Sequence, residues 1–226
     1  MKKTTVFSTF FILLIYQSLL SGQQNQKPAA DFFKDVRNAS LDVLPDSFKA
    51  GLSGQAIDKK ISSIPRDSYL DKSKNASVEI IYSKIKGITI TVLNVDDLYR
   101  DMYKDLPRQF FAFDILLSER STESFLNKYE MSYYSSGFDP IILRLRIKGA
   151  ENTVLLYIDR ANYRLHRIDY LLGGSLISTT EVFYNDYEKE GKTYTVPYRF
   201  VTKSGNGSNS ARYDILEMVN ISLNGQ

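Results

Sequence analysis

The sequence predicts an α+β chain in which short helices precede one curved antiparallel sheet. Three observations lead there. First, Ile141-Ile142-Leu143-Arg144-Leu145-Arg146-Ile147-Lys148 alternates apolar and basic residues. Strand side chains point to opposite faces with period two, so this strand is greasy on one side and wet on the other. Second, short polar turns cut the chain after Ile147 into further strand-like segments, and such segments most simply make a meander. Third, apolar stripes at helical spacing are confined to the first half, a segregation that belongs to α+β rather than alternating α/β chains.

The strand half divides at turn residues. Gly149 to Asn152 precedes Thr153–Ile158, and Asp159 to Asn162 precedes a strand over 163–172. Gly173-Gly174 suits a tight hairpin because glycine takes positive φ at little cost. After the strand over 176–184, the polar stretch 185–192 reads as a link closed by Gly191. The strand over 193–201 puts Tyr194, Val196, Tyr198 and Phe200 on one face. The last, over 211–223, groups Tyr213, Ile215, Val219, Ile221 and Leu223.

The helical half begins after Lys27-Pro28, where Phe32, Phe33 and Val36 share a helix face and Pro28 fits a first turn. Leu44-Pro45-Asp46 ends that helix, and 48–54 reads as a link or a short strand. Ile57, Ile61 and Ile64 make a second helical stripe. Val78, Ile80 and Tyr82, then Ile88, Ile90 and Val92, alternate on either side of a Lys84–Gly87 turn, which is a hairpin pattern. Asn94-Val95-Asp96 offers caps for a third helix with Leu98, Met102 and Leu106 along one side. The apolar run 110–117 suits a buried strand or a helix equally, and 121–130 suits a last helix before a strand over 131–136.

At the N-terminus, Met1-Lys2-Lys3 precedes an apolar centre at Phe10–Tyr16, then Leu20-Ser21-Gly22 and a glutamine-rich stretch. The pattern predicts a secretory signal peptide over 1–22 followed by one domain over 23–226. The apolar part falls short of the ~20 residues that cross a bilayer. Without Lys2 and Lys3 the formal charge falls from +3 to +1, which leaves no basic footprint for nucleic acid. There is no cysteine, which excludes a disulfide framework and a lipid-modified cysteine. The expectation is a monomer exported to a bacterial periplasm without a lipid anchor.

Motifs for chemistry are sparse. His166 is the only histidine, and one histidine without thiols does not build a zinc or copper site. No Gly-x-Ser-x-Gly elbow accompanies it. Asp97, Asp101 and Asp105 recur at helical spacing, but Arg100, Lys104 and Arg108 run beside them, the pattern of a solvated, mutually screened face. The expectation is a non-enzymatic protein with no cofactor and no metal. Read from periodicity alone, the apolar stripes line an ordinary core.

Several segments of the strand half carry a family likeness. They are Leu155-Leu156-Tyr157-Ile158-Asp159, Tyr163 to Tyr170, Glu181-Val182-Phe183-Tyr184-Asn185-Asp186-Tyr187, Gly191 to Phe200, and Tyr213 to Leu223. Together they resemble the LolA/LolB-like family of outer-membrane lipoprotein-sorting proteins. The resemblance implies an unclosed (half) β-barrel with short helices as a lid over its concave face, and a hydrophobic cavity that takes a lipid or lipoprotein acyl chain. It brings no catalytic residues. On that implication the cavity-lining candidates are Ile88, Ile90, Val92, Leu143, Leu145, Ile147, Tyr194, Val196, Tyr198 and Phe200, with Phe110, Phe111 and Phe113 as a lid or plug. The alternative is an envelope sensor or assembly factor that uses the same half-barrel to grip a protein partner.

Overall fold

Ten strands pair edge to edge in the computed structural model, which describes residues 27–102, 111–117, 122–205 and 212–223. The expected signal peptide lies outside the described residues. Helix α1 (Ala29–Val43) leads into β1 (Ser47–Ser53) and α2 (Gln55–Ile61). The hairpin β2 (Ser77–Ser83) and β3 (Gly87–Leu93) follows, then three short helices, α3 (Asp97–Met102), α4 (Phe111–Leu117) and α5 (Thr122–Lys128). The rest is strand: β4 (Tyr129–Ser135), β5 (Ile141–Ile147), β6 (Asn152–Ile158), β7 (Leu165–Leu172), β8 (Ser175–Lys189), β9 (Lys192–Ser204) and β10 (Arg212–Leu223).

All neighbours are antiparallel, in the order β3-β2-β1-β10-β9-β8-β7-β6-β5-β4. Two meanders are therefore joined where the first strand meets the last. The edges β3 and β4 do not pair with each other, so the sheet is an unclosed half-barrel. The segment 48–54, which the sequence leaves as a link or a short strand, is strand almost throughout: β1 is an interior strand with alternating burial that hides Phe48, Ala50 and Leu52.

The buried face is built by register. Leu143, Leu156, Ile168 and Thr180 stand opposite one another on β5 to β8. Thr180 continues to Thr202 on β9, and the two hydroxyls meet at 2.9 Å, so neither is left dry and unpaired. On the other wing, Leu52, Val78 and Val92 make a matching row.

Helices cover this face. Helix α1 starts after Pro28, buries Phe32, Phe33, Val36 and Arg37, and ends at Leu44, which Pro45 holds extended. It packs on β4 and β9, and α4 and α5 pack on it. Aromatic contacts tie roof to sheet. Phe33 stacks on Phe125 at 5.1 Å, Phe125 on Tyr129 at 4.6 Å, and Phe113 meets Phe200 edge-on at 4.8 Å. Each such fully buried ring stabilises the fold by roughly 2–3 kcal/mol.

Three expectations shift. The stretch 185–189 is strand, because β8 runs on to Lys189 before Glu190-Gly191 reverses the chain. On β10 the buried residues are Leu216 and Met218, whereas Tyr213 is exposed; Asn220 takes a positive φ near the end of the strand, where strict alternation fails. On α3, Leu98 is 71% exposed rather than inward, and Leu106 lies outside the described residues. Asp96 accepts the Tyr99 amide at 3.2 Å and caps that helix, whereas Asn94 ties down the loop at Asp71 and Lys74.

Two measurements check this architecture. Gly54 has φ 107°, and a β-carbon there would sit 2.3 Å from the Ile215 carbonyl oxygen. Gly54→Ala should therefore cost about 3 kcal/mol or more in urea unfolding. Burial pushes the Tyr82 phenol from 10.0 up to about 12, and it raises Tyr170 and Tyr184 as well. The folded state holds these protons more tightly than the unfolded chain. The stabilisation is complete below pH 10 and is lost as pH rises towards 12. The tyrosinate absorbance of these three buried phenols should appear together with unfolding in that window, not before it.

Candidate functional site

The β6–β7 turn places the residues of most interest. Asp159 organises it: its carboxylate accepts the Ala161 amide at 2.7 Å and the Asn162 side-chain amide at 3.0 Å. Asn162 in turn accepts the Arg164 amide at 2.8 Å. Short polar side chains bonding to backbone a few residues on are what lock such turns. The turn fixes Arg164 at the start of β7. Its guanidinium donates to the Thr195 hydroxyl at 3.0 Å, lies 5.7 Å from the Tyr184 ring centre, and sits 3.8 Å from Asp186. Thr195 donates onward to Asp186 at 2.6 Å, and the Tyr184 hydroxyl donates to the Leu165 carbonyl at 2.8 Å.

Two pockets meet at this arginine. One, of about 90 Å³, opens at the seam between roof and sheet. Ala39, Val43 and Leu44 of the α1 end, Leu116 of α4 and Pro197 of β9 give it apolar walls. The other is a wider groove of about 240 Å³, walled by Asp139, Pro140, Asp159 and His166. Asn162, Arg164 and Tyr184 line both. His166 faces this groove with two carboxylates, and no serine, threonine or cysteine is among the groove's lining residues. Among the described residues no three His, Asp or Glu side chains converge as metal ligands.

The ten cavity-lining candidates lie elsewhere. Val92, Leu143, Leu145 and Val196 are fully buried, Ile90 and Phe200 nearly so, and Ile88, Ile147, Tyr194 and Tyr198 are half-buried. None of them lines either pocket. The β9 set does not share one face. Phe200 pairs with Val182 and Val196 with Asn185, and a bulge lies between them opposite Phe183/Tyr184. A bulge moves the alternation by one residue, which brings Pro197 opposite Tyr184 and Thr195 opposite Asp186. Of the plug candidates, Phe113 is buried against Phe200, and Phe110 and the side chain of Phe111 lie outside the described residues.

In the sequence, Asp159, Arg164, Tyr184 and Thr195 stand out only as fold markers. The local signal for the site is the Asp-x-x-Asn turn at 159–162, with Arg164 directly before β7. The bulge that brings Thr195 and Pro197 to the pocket leaves no mark in the alternation pattern.

A second polar cluster occupies the opposite face of β7. Asp169, 4% exposed, accepts both arms of Arg167 at 2.8 Å, the Thr179 hydroxyl at 2.8 Å and the Tyr157 hydroxyl at 2.8 Å. Arg167 also lies over the Tyr157 ring at 4.6 Å. Every acceptor direction is used within the protein, so this carboxylate holds the sheet and has nothing left for a ligand.

The chain is distantly similar to a solved structure. That protein, a DUF1329 family protein from Desulfovibrio piger, has a TM-score of 0.43 and 10% identity, over 88% of this chain and 95% of the other. No family model matches the sequence, and no curated protein matches it. Among the described residues no helix is long and apolar enough to cross a membrane.

The Asp169 cluster has an acid-side consequence. Burial alone would raise its carboxyl, but the hydrogen bonds from Arg167, Thr179 and Tyr157 outweigh it and hold the group below its ordinary 3.8. Its contribution is present above pH 3.8 and is lost as pH falls through the lower folded value. Asp169→Ala should cost about 2–3 kcal/mol at neutral pH, since Arg167 keeps partial access to water. The difference between variant and wild type should shrink in unfolding curves taken below that pH.

Proposed function

We propose that this protein reversibly holds the acyl chain of a lipid or lipoprotein beneath its helical roof, as an exported carrier of the bacterial envelope. The observation that carries the reading is the apolar pocket at the seam of roof and sheet. Its wall includes Leu116, one helical turn from Phe113, and Phe113 is seated on Phe200 of the sheet. Roof side chains thus occupy the space a chain would take. A guest enters at the seam and replaces the Phe113 ring on the sheet. Transfer of each methylene from water to such a site gains ~0.8 kcal/mol, so a long chain binds without a covalent link. The likeness of residues 155–223 to the LolA/LolB-like family supports the same reading.

A second reading rests on the β7–β8 hairpin. Around Gly173-Gly174 it exposes Leu172, Leu176 and Ile177, an apolar tip that suits a protein partner in an envelope assembly.

The test uses the full chain purified from the cells that make it. Lipid extraction and native mass spectrometry should recover bound acyl chains. Phe113→Ala removes the ring that the guest displaces. It should cost the fold about 3 kcal/mol and yet bind a fluorescent long-chain fatty acid about tenfold more tightly. If wild type and variant both carry no lipid and bind no probe, the carrier reading fails. The hairpin tip then becomes the place to look for function.

A further inference from the structure

The seam pocket and the wider groove differ in chemistry but share a border. Both are lined by Asn162, Arg164 and Tyr184. One is walled mainly by apolar side chains, and the other carries Asp139, Asp159, Arg164 and His166. An apolar slot and a charged groove that share a guanidinium in their common wall have the layout of an amphiphile site, with the chain on one side and the head on the other. From this geometry we propose that the groove is a head-group subsite for a zwitterionic lipid head, with a phosphate at Arg164 and an ammonium at Asp139. The inference rests on the chain-holding reading above and names the class of its guest.

The charges decide between head groups. Arg164 stands at the junction of the two spaces. One of its nitrogens serves Thr195 and approaches Asp186, while its other nitrogens take no hydrogen bond among the described residues. It is therefore available to a phosphate, for which a planar guanidinium is well matched. A purely anionic head would also meet Asp139 and Asp159 in the groove and Asp186 at its edge, all carboxylates. A purely cationic head would have to pass Arg164. A zwitterion satisfies both signs, with its anionic group near the chain and its ammonium further out, as in phosphoethanolamine.

The acids are not equivalent. Both Asp159 oxygens are engaged by its own turn, through Ala161 and Asn162. Asp139 uses one oxygen for the Arg160 amide at 3.0 Å, and its second takes no hydrogen bond among the described residues. Asp139 is thus the ammonium acceptor, and Arg164 both steadies Tyr184 and Thr195 and receives the phosphate.

Competition against a fluorescent fatty acid on the unmodified protein tests this directly. The competitors are lysophosphatidylethanolamine, lysophosphatidylglycerol and the free fatty acid, all of one chain length and used below micelle formation. The ethanolamine lipid should bind about tenfold more tightly than the other two, the scale of one charge-assisted hydrogen bond. Asp139→Asn should abolish that preference by weakening the ethanolamine lipid, while the glycerol lipid, relieved of one like charge, binds at least as tightly as before. Arg164→Lys, which keeps the charge but loses the fork, should weaken both phospholipids by more than it weakens the fatty acid. If wild type binds all three within about twofold, the head-group subsite is overturned and chain holding stands. If none of them binds, both fall together.

Discussion

The pairing of β1 with β10 is the constraint on which the rest of the molecule depends. Without it the chain would be two meanders, one of three strands and one of seven, each with an exposed edge and half a buried face. With it, Phe48 stands opposite Leu223 and Leu52 opposite Met218, and the two apolar faces become one. The join is not regular. Its register shifts between Lys49 and Gly51, where Gly51 lies opposite Val219 and a β-carbon would come within 3.2 Å of the valine side chain. Helix α2 covers the same junction from outside the ladder, packing on both strands with Ile57 buried. Long-range pairings of this kind carry a loop-closure cost that only a large shared apolar face offsets.

That face explains the roof. Ten strands expose more greasy surface than the sheet can hide on itself, and α1, α4 and α5 cover it with rings and branched side chains. The contacts are concentrated where α1 crosses towards β4. Phe32 lies between Tyr133 and Tyr163, Phe33 stacks on Phe125, and the Tyr133 hydroxyl donates to the Lys27 carbonyl at 2.8 Å. The seam by the α1 C-terminus is covered less completely. Val43 remains exposed there, and Leu44, Leu116 and Pro197 line the seam pocket.

The meander of the second half was legible in the alternation of Ile141 to Ile147 and in the Asp159 and Gly173-Gly174 turns, because period two and turn chemistry are local signals, whereas the β1–β10 pairing that joins it to the β2–β3 hairpin was not. The helical roof was legible in Phe32, Phe33 and Val36 for the same reason. What the sequence hid was non-local or aperiodic. The polar stretch 185–189 stays in strand because its partner 192–196 holds it there, a tertiary choice that overrides composition. The segment 110–117 was undecided between helix and strand, and it became helical where described, with Ala112, Phe113, Ile115, Leu116 and Leu117 all buried. The site was the least legible part. Asp139, Arg164, Tyr184 and Thr195 come from four separate strands or turns, and a bulge sets the last of them in place.

Energetics bear on whether a roof that fills its own cavity suits a carrier. Exchange requires the bound guest and the seated helix to be close in free energy, because a much tighter plug would never admit a chain and a much looser one would leave the sheet wet. Helix α4 buries one alanine, one phenylalanine and three branched aliphatic side chains. At roughly 1.5–3 kcal/mol for each of the larger four, seating the helix gains about 10 kcal/mol. An acyl chain of about a dozen methylenes at ~0.8 kcal/mol each gains about the same. The two terms balance to within a few kcal/mol, so small contributions at the mouth decide which state prevails. Arg164 and Asp139 lie at that mouth, where one or two charge-assisted hydrogen bonds to a head group are the size of the remaining difference. Under the function proposed above, a self-filled half-barrel with a polar groove at its seam would favour one class of guest and return to a closed, dry state once the guest left.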